Sequence, residues 1–325
     1  MTAAVTIRET GFAEHAYVGE KPWHGLGQAL RPGANIETWK QAAGMDWTVL
    51  RGVVRYATSR NPDDLQLQTL PEQHVLFRSD NRQPLGIVSK KYKIVQPGEV
   101  LEFFRDLTEA NGFQLTTAGT LFDGRRFWAL AAIGEEAVVV GDDKVGGYLL
   151  LSTSCDGTLA TTARFTTVRV VCNNTLSMAL KDRRREVIIR HTSRFNADRV
   201  KDDLGLARGA FASFMRDARQ LAAKPLDEIT ARSFVGELLS DTKTVFKKDV
   251  AASRPFKEIM NLYRGAGRGS LLDGSDGSAW GLVNAVTEYV DHHARATSDS
   301  HRLTNAWFGK GDALKSEALA RALAL

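Results

Sequence analysis

GYLLLSTSCDGTLATTARFTTVRVV, residues 147–171, is the stretch that decides the fold. Two runs rich in β-branched, aliphatic and aromatic residues flank Asp156-Gly157, a dipeptide that suits the left-handed positions of a type I′ hairpin turn. The preceding segment, FQLTTAGTLFDGRRFWALAAI (113–133), repeats the arrangement around Asp123-Gly124. Two consecutive antiparallel hairpins are expected. Upstream, WTVLRGVVRYAT (47–58), HVLFRS (74–79) and LGIVS (85–89) are further strand-like runs broken by Asn, Asp, Pro and Gly clusters. Between these and the hairpins, PGEVLEFFRDLTEANG places Pro97 at a first helical position and Val100, Leu101, Phe104 and Leu107 on one face, with Gly112 as the stop. That is one amphipathic helix.

After Val171, NNTLSMALK reads as a short helix capped by Asn173 or Asn174, and RREVIIRHT as a returning strand. From Ser193 onward the pattern is helical: 196–223, a helix after Ile229, another near Phe256 to Tyr263, and a last long one from Ser278 to about Arg295. RGAGRGSLLDGSDGS (264–278) is glycine-rich and polar and reads as a mobile loop. The expected fold is α+β: an antiparallel β-hairpin sheet with packed helices over 1–192, followed by a mainly helical C-terminal region over 193–325. The C-terminal helices are free to pack back on the sheet.

Hydrophobic residues at 43% and charged residues at 25% are globular values and exclude wholesale disorder. No apolar run reaches the roughly 18 residues of a membrane span, and MTAAVTIRETGF lacks the basic-then-apolar pattern of a signal peptide, so a cytoplasmic protein is expected. Two cysteines, Cys155 and Cys172, are too few for a disulfide framework or a cysteine metal cage. The formal net charge is +5. Lys181, Arg183, Arg184, Arg185, Arg190, Arg194, Arg199 and Lys201 face only Asp182, Glu186 and Asp198 in the same segment, which therefore carries the whole excess. Such a stripe suits a polyanion surface, and equally a solvated helix end.

Cys172 precedes a helix-like segment, as an activated thiol would, with His24, His191 and Asn173 or Asn174 as partners for a Cys-His-Asn hydrolase. It also closes the apolar alternation Val168, Val170, Val171, where a small cysteine packs as a hydrophobe, and it is expected to be buried and inert. In TEYVDHHAR, Glu288 and His292 are spaced to share a helix face with Asp291 beside them, but no second ligand cluster accompanies them, and no metal site is assigned. Neither GRGSLLDGSDGS nor PWHGLG contains a phosphate-loop or dinucleotide fingerprint, so no nucleotide cofactor is expected. No catalytic residue is assigned. Trp23 and His24 in PWHGLG either stack on a ligand or plug the sheet edge.

Bases are interleaved with aromatics along the strands: Lys90, Lys91 and Lys93 around Tyr92, Arg125 and Arg126 before Phe127 and Trp128, Arg164 before Phe165, and Arg169. With Arg183, Arg184, Arg185, Arg190, His191 and Arg194 they form the candidate contact set for single-stranded nucleic acid. Such a ligand is held by a basic groove tracking phosphates, with Trp23, His24 and Tyr92 as candidate stacking residues.

PWHGLG near the N-terminus, RVVCNNTL (169–176), IRHTSR (189–194), AVTEYVDHHAR (285–295) and NAWFGKG (305–311) resemble, in order, the phage/plasmid-like family catalogued as domain of unknown function 932. The resemblance implies a mobile-element context rather than an activity. In topology, a helix, two hairpins and basic strand ends also resemble the core of the Rad-fifty-two type single-strand annealing proteins. Together these imply an ATP-independent, oligomeric binder of single-stranded nucleic acid, DNA in preference, that promotes annealing or recombination. The alternatives are an anti-defence or regulatory protein that binds a host protein, and a hydrolase using Cys172.

Overall fold

The computed structural model describes residues 6–19, 25–59, 61, 66–171, 174–177, 186–193, 196, 209–242 and 249–325. The chain runs through β1 (His15–Val18), β2 (Gln28–Leu30), α1 (Ile36–Ala42), β3 (Val49–Ala57), β4 (Leu67–Arg78) and β5 (Pro84–Ser89) into α2 (Pro97–Asn111). It continues with β6 (Gln114–Leu121), β7 (Arg126–Val138), β8 (Lys144–Ser154), β9 (Thr161–Arg169), β10 (Asn174–Ser177) and β11 (Val187–Ile189). The C-terminal helices are α3 (Ala210–Ala222), α4 (Glu228–Asp241), α5 (Arg254–Asn261), α6 (Ala279–Glu288), α7 (Asp299–Phe308) and α8 (Lys310–Ala324).

The two expected hairpins form the centre of an eight-stranded sheet ordered β10-β9-β8-β7-β6-β1-β2, in which β11 also pairs with β9. β3, β4 and β5 make a separate three-stranded antiparallel sheet. Strand β7 shows why its sequence is apolar on consecutive residues. Phe127, Ala129 and Ala131 enter the core that holds Val100, Leu101 and Phe104 of α2, whereas Trp128 and Leu130 pack with Leu150 against Leu303, Trp307 and Phe308 on the opposite face. Both faces are covered, so the usual in-out alternation of an exposed antiparallel sheet is lost. The core holding α2 also takes in Phe214, Leu238, Ile259, Val283 and Leu314 of the C-terminal helices, which therefore pack back on the sheet.

The two sheets are riveted together by buried charge. Arg78 of β4 donates to Glu14 (Nη2–Oε1 2.6 Å) and Asp80 (2.8 Å), and its guanidinium lies 4.2 Å from the centre of the Trp47 ring. Glu14 also accepts from Arg8 (2.7 Å) and from the Thr120 hydroxyl of β6. Each buried ion thus meets an opposite charge, the condition under which burial is tolerated.

Several local expectations change. Asn174–Ser177 is not a helix but strand β10, because β9 offers a free edge and the ladder to Arg169–Thr166 outweighs the capping tendency of asparagine. The hairpin loops span 122–125 and 155–160, longer than a two-residue turn, although Asp123 and Gly124 do supply positive φ values of 59° and 88°. Past Arg295 the chain forms two more helices, α7 and α8, and α6 ends in a wider turn over Tyr289–His293. The 264–278 loop is pinned rather than mobile. Arg169 donates to Gly269 O (3.0 Å) and Ser275 Oγ (2.7 Å), and Glu288 accepts from the Arg268 amide (3.0 Å).

Candidate nucleic-acid interface

The hairpin tip at the end of the large sheet is held by its own side chains. Asp156 accepts from the Thr158 amide (2.9 Å) and hydroxyl (2.6 Å), Ser154 Oγ donates to Leu159 O (2.9 Å), and Gly157 takes a φ of 76°. The Cys155 amide donates to Arg125 O (2.7 Å), fastening the 122–125 loop beside the tip. Gly86 of β5 lies so close that a Cβ there would be 2.8 Å from Asp156 Cα. Side chains from three distant stretches are thereby fixed around one tip.

Tyr92 and His191 complete the assembly. The Tyr92 hydroxyl donates to Ser154 O (2.7 Å), and its ring stacks on His191 with 4.3 Å between centroids. The His191 ring nitrogens lie 3.0 Å from Lys93 O and 3.0 Å from Leu159 O. Around this joint, Lys91, Lys93, Arg125 and Arg190 are exposed, as is Lys90, which pairs with Glu72 at 2.5 Å. The structure therefore brings Lys90, Lys91, Arg125, Arg190 and His191 together from separate places in the chain. Lys93, the last base of the KKYK run, joins them.

Two expected contacts are corrected outright. Arg164 and Arg169 are buried, because strand β9 is covered on both faces. Arg164 pairs with Asp312 (3.0 Å) and Glu186, and Arg169 with Asp143 (2.7 Å), so neither is presented to a phosphate. Tyr92 is also unsuited to base stacking: it is 8% exposed, one face of its ring is taken by His191, and burial pushes its phenol up from its ordinary range. Arg126 sits at the margin, half-buried, donating to Thr158 (2.8 Å) and Thr304 (3.1 Å). Trp23, His24, Cys172, Arg183, Arg184, Arg185 and Arg194 lie outside the described residues.

The acid and imidazole run of TEYVDHHAR is also rearranged. The wide turn at Tyr289–His293 places His293 within 3.8 Å of Glu288, and His293 Nδ1 lies 3.2 Å from Glu258. Asp291 instead accepts from the Thr175 amide (2.8 Å) and from buried Lys315 (2.7 Å). Burial raises the Glu288 carboxyl above its ordinary value. Among the described residues, no group of three or more His, Cys, Asp or Glu side chains is disposed to hold a metal ion, and no helix is long and apolar enough to cross a membrane. Cys155 is buried, and burial pushes its thiol well above the ordinary range, the reverse of what a nucleophile needs.

A mainly antiparallel α+β body, with one parallel pair at the β1–β2 edge, and a basic loop end is the class that fold and site define. The chain belongs to the family described as domain of unknown function (DUF932), whose match covers residues 84–307 and so includes the whole joint around Tyr92 and His191. No curated protein and no solved structure matches the chain.

Proposed function

We propose that this protein binds single-stranded DNA at the loop end of the large sheet and promotes annealing without ATP, as a recombination-associated protein of a phage or plasmid. The observation that carries the reading is the convergence of Lys90, Lys91, Lys93, Arg125 and Arg190 around one hairpin tip, where, among the described residues, the one ion pair these five make is that of Lys90 with Glu72. A surface of this kind neutralises phosphates and reads no base identity. Because Tyr92 is committed to His191, the bases of a bound strand are left free for pairing, which annealing requires.

Each phosphate contact on a single strand releases counterion, so the logarithm of affinity falls with the logarithm of salt by about 0.7 per contact. Replacing Lys91, Arg125 and Arg190 together by alanine is expected to weaken oligothymidylate binding and to flatten that slope by about two, measured by fluorescence anisotropy across a salt series. Unchanged affinity and slope would remove the basis of the reading.

A second reading, a regulatory protein that docks on a host protein, is favoured by a separate surface. On the outer face of the three-stranded sheet, register aligns Leu50 with Phe77 and Val75 with Ile87, and Leu50 and Ile87 are 40% and 57% exposed. Capture of a host protein lost on Ile87→Asp, with DNA binding absent, would select it.

A further inference from the structure

Arg126 is half-buried yet makes no direct ion pair among the described residues. Arg78, Arg164 and Arg169, which are more deeply buried, each bond at least one carboxylate. Among the described residues the Arg126 guanidinium donates to hydroxyls alone, Thr158 Oγ1 on the 155–160 loop (2.8 Å) and Thr304 Oγ1 on α7 (3.1 Å), and it lies 5.4 Å from the centre of the Phe122 ring. Asp156 stands one hydroxyl away, beyond Thr158, which donates to that carboxylate at 2.6 Å, and its charge partly offsets that of Arg126 across the gap. The Arg126 Nε–H is buried and has no acceptor among the described residues. Two residues along, on the same face of β7, Trp128 is 4% exposed and its indole N–H also has no acceptor among them.

A partly desolvated cation without a direct ion pair and buried donors without acceptors are each unfavourable, and both are relieved by one kind of partner, an oxyanion. We infer that Arg126, framed by Thr158 and Thr304, is a binding site for a phosphate group. Preference for phosphate over another oxyanion rests on the proposed nucleic-acid reading, since the 155–160 loop that supplies Thr158 also supplies Leu159 O to His191 at the centre of the basic surface. Desolvation also holds the guanidinium below its ordinary pKa, an effect that an adjoining anion reverses. Phe122 and His301, in edge contact at 4.8 Å, and Trp307, 5.0 Å from Trp128, supply an aromatic border to the site. A nucleotide residue carries both the phosphate and the ring that such a border suits.

The test uses the full chain and inorganic phosphate titrated against chloride at constant ionic strength, followed by tryptophan emission and by calorimetry. Saturable phosphate binding is expected in the native protein. It should weaken by roughly tenfold or more in Arg126→Gln, since a charge-assisted hydrogen bond contributes about that factor. Arg126→Lys should retain part of it and Thr304→Val should lose part. Without phosphate, Arg126→Gln gives up the hydrogen bonds to Thr158 and Thr304, so the comparison of affinities is made on protein shown to be folded by its melting transition. Absence of saturable binding, or equal affinity in Arg126→Gln, overturns the assignment. Displacement of phosphate by oligothymidylate makes a nucleic-acid strand the source of the group. Displacement by thymidine monophosphate alone makes it a free nucleotide, which keeps the phosphate site and removes this contact from the strand-binding reading. Failure of oligothymidylate to bind anywhere defeats the proposed function while leaving the phosphate titration to decide the site on its own.

Discussion

Arginines that look alike along this chain have opposite fates. Arg125 is exposed on its loop, Arg126 is half-buried beside it, and Arg169 is buried with its guanidinium shared among Asp143, Ser275 and the carbonyls of Arg268 and Gly269. Removing one partner of a buried pair leaves the other charge uncompensated. Arg169→Met is therefore expected to lose about 3–5 kcal/mol of unfolding free energy in urea denaturation, whereas Arg125→Ala should stay within about 0.5 kcal/mol. Similar losses in both would contradict the assignment of structural and surface roles. Glu288 provides a pH-dependent counterpart. Burial raises its folded-state pKa above the unfolded value, so its favourable contribution is present below the unfolded pKa and is lost as pH rises through the folded one. Glu288→Gln keeps an acceptor for the Arg268 amide without the charge. Its stability relative to the native protein should therefore rise from pH 4 to pH 7, as read from denaturant midpoints; a relative fall over that range would show that the carboxylate's attraction to His293 and Arg169 outweighs its desolvation.

Among the elements, helix α6 shows how packing overrides intrinsic preference. Gly281 lies in its first turn, capped by Ser278, whose hydroxyl accepts from the Gly281 amide (3.0 Å). By propensity, alanine in a helix interior is better than glycine by about 1 kcal/mol. Here a Cβ would meet Ser275 O at 1.9 Å, a backbone atom of the 264–278 loop that cannot swing aside as a side chain does. Gly281→Ala should destabilise by about 1–3 kcal/mol, with earlier proteolysis in the 264–278 loop as the confirming measurement. A more stable variant would mean that the loop yields. The same loop illustrates the boundary of sequence reading: glycines and serines announce irregular backbone, but the fastening by Arg169 on one side and Glu288 on the other depends on residues far away in the chain. The amphipathic helix at Pro97 was legible because Val100, Leu101, Phe104 and Leu107 repeat at helical spacing, and all of them are buried.

At the scale of the whole molecule, the three-stranded sheet has edge strands β3 and β5, and its outer face carries Leu50, Val75, Phe77 and Ile87. Exposed edges and apolar faces favour association unless something covers them. Self-assembly is expected, with light scattering showing a species larger than a monomer at micromolar concentration and Ile87→Asp shifting it toward the monomer; a monomer throughout would count against the annealing reading. What the sequence determined by itself was the set of elements with local causes: the hairpin runs on either side of Asp123-Gly124 and Asp156-Gly157, the Pro97 helix, and the change from strand to helix spacing in the C-terminal part. Turn chemistry and side-chain periodicity act over a few residues, so they can be read without knowing the fold. Only the tertiary structure decided which bases face solvent. Arg164 and Arg169 look on paper like Arg125, but their fate depends on Asp312 and Asp143, brought to them by helix packing and strand pairing, and a charge enters the core only where such a partner waits.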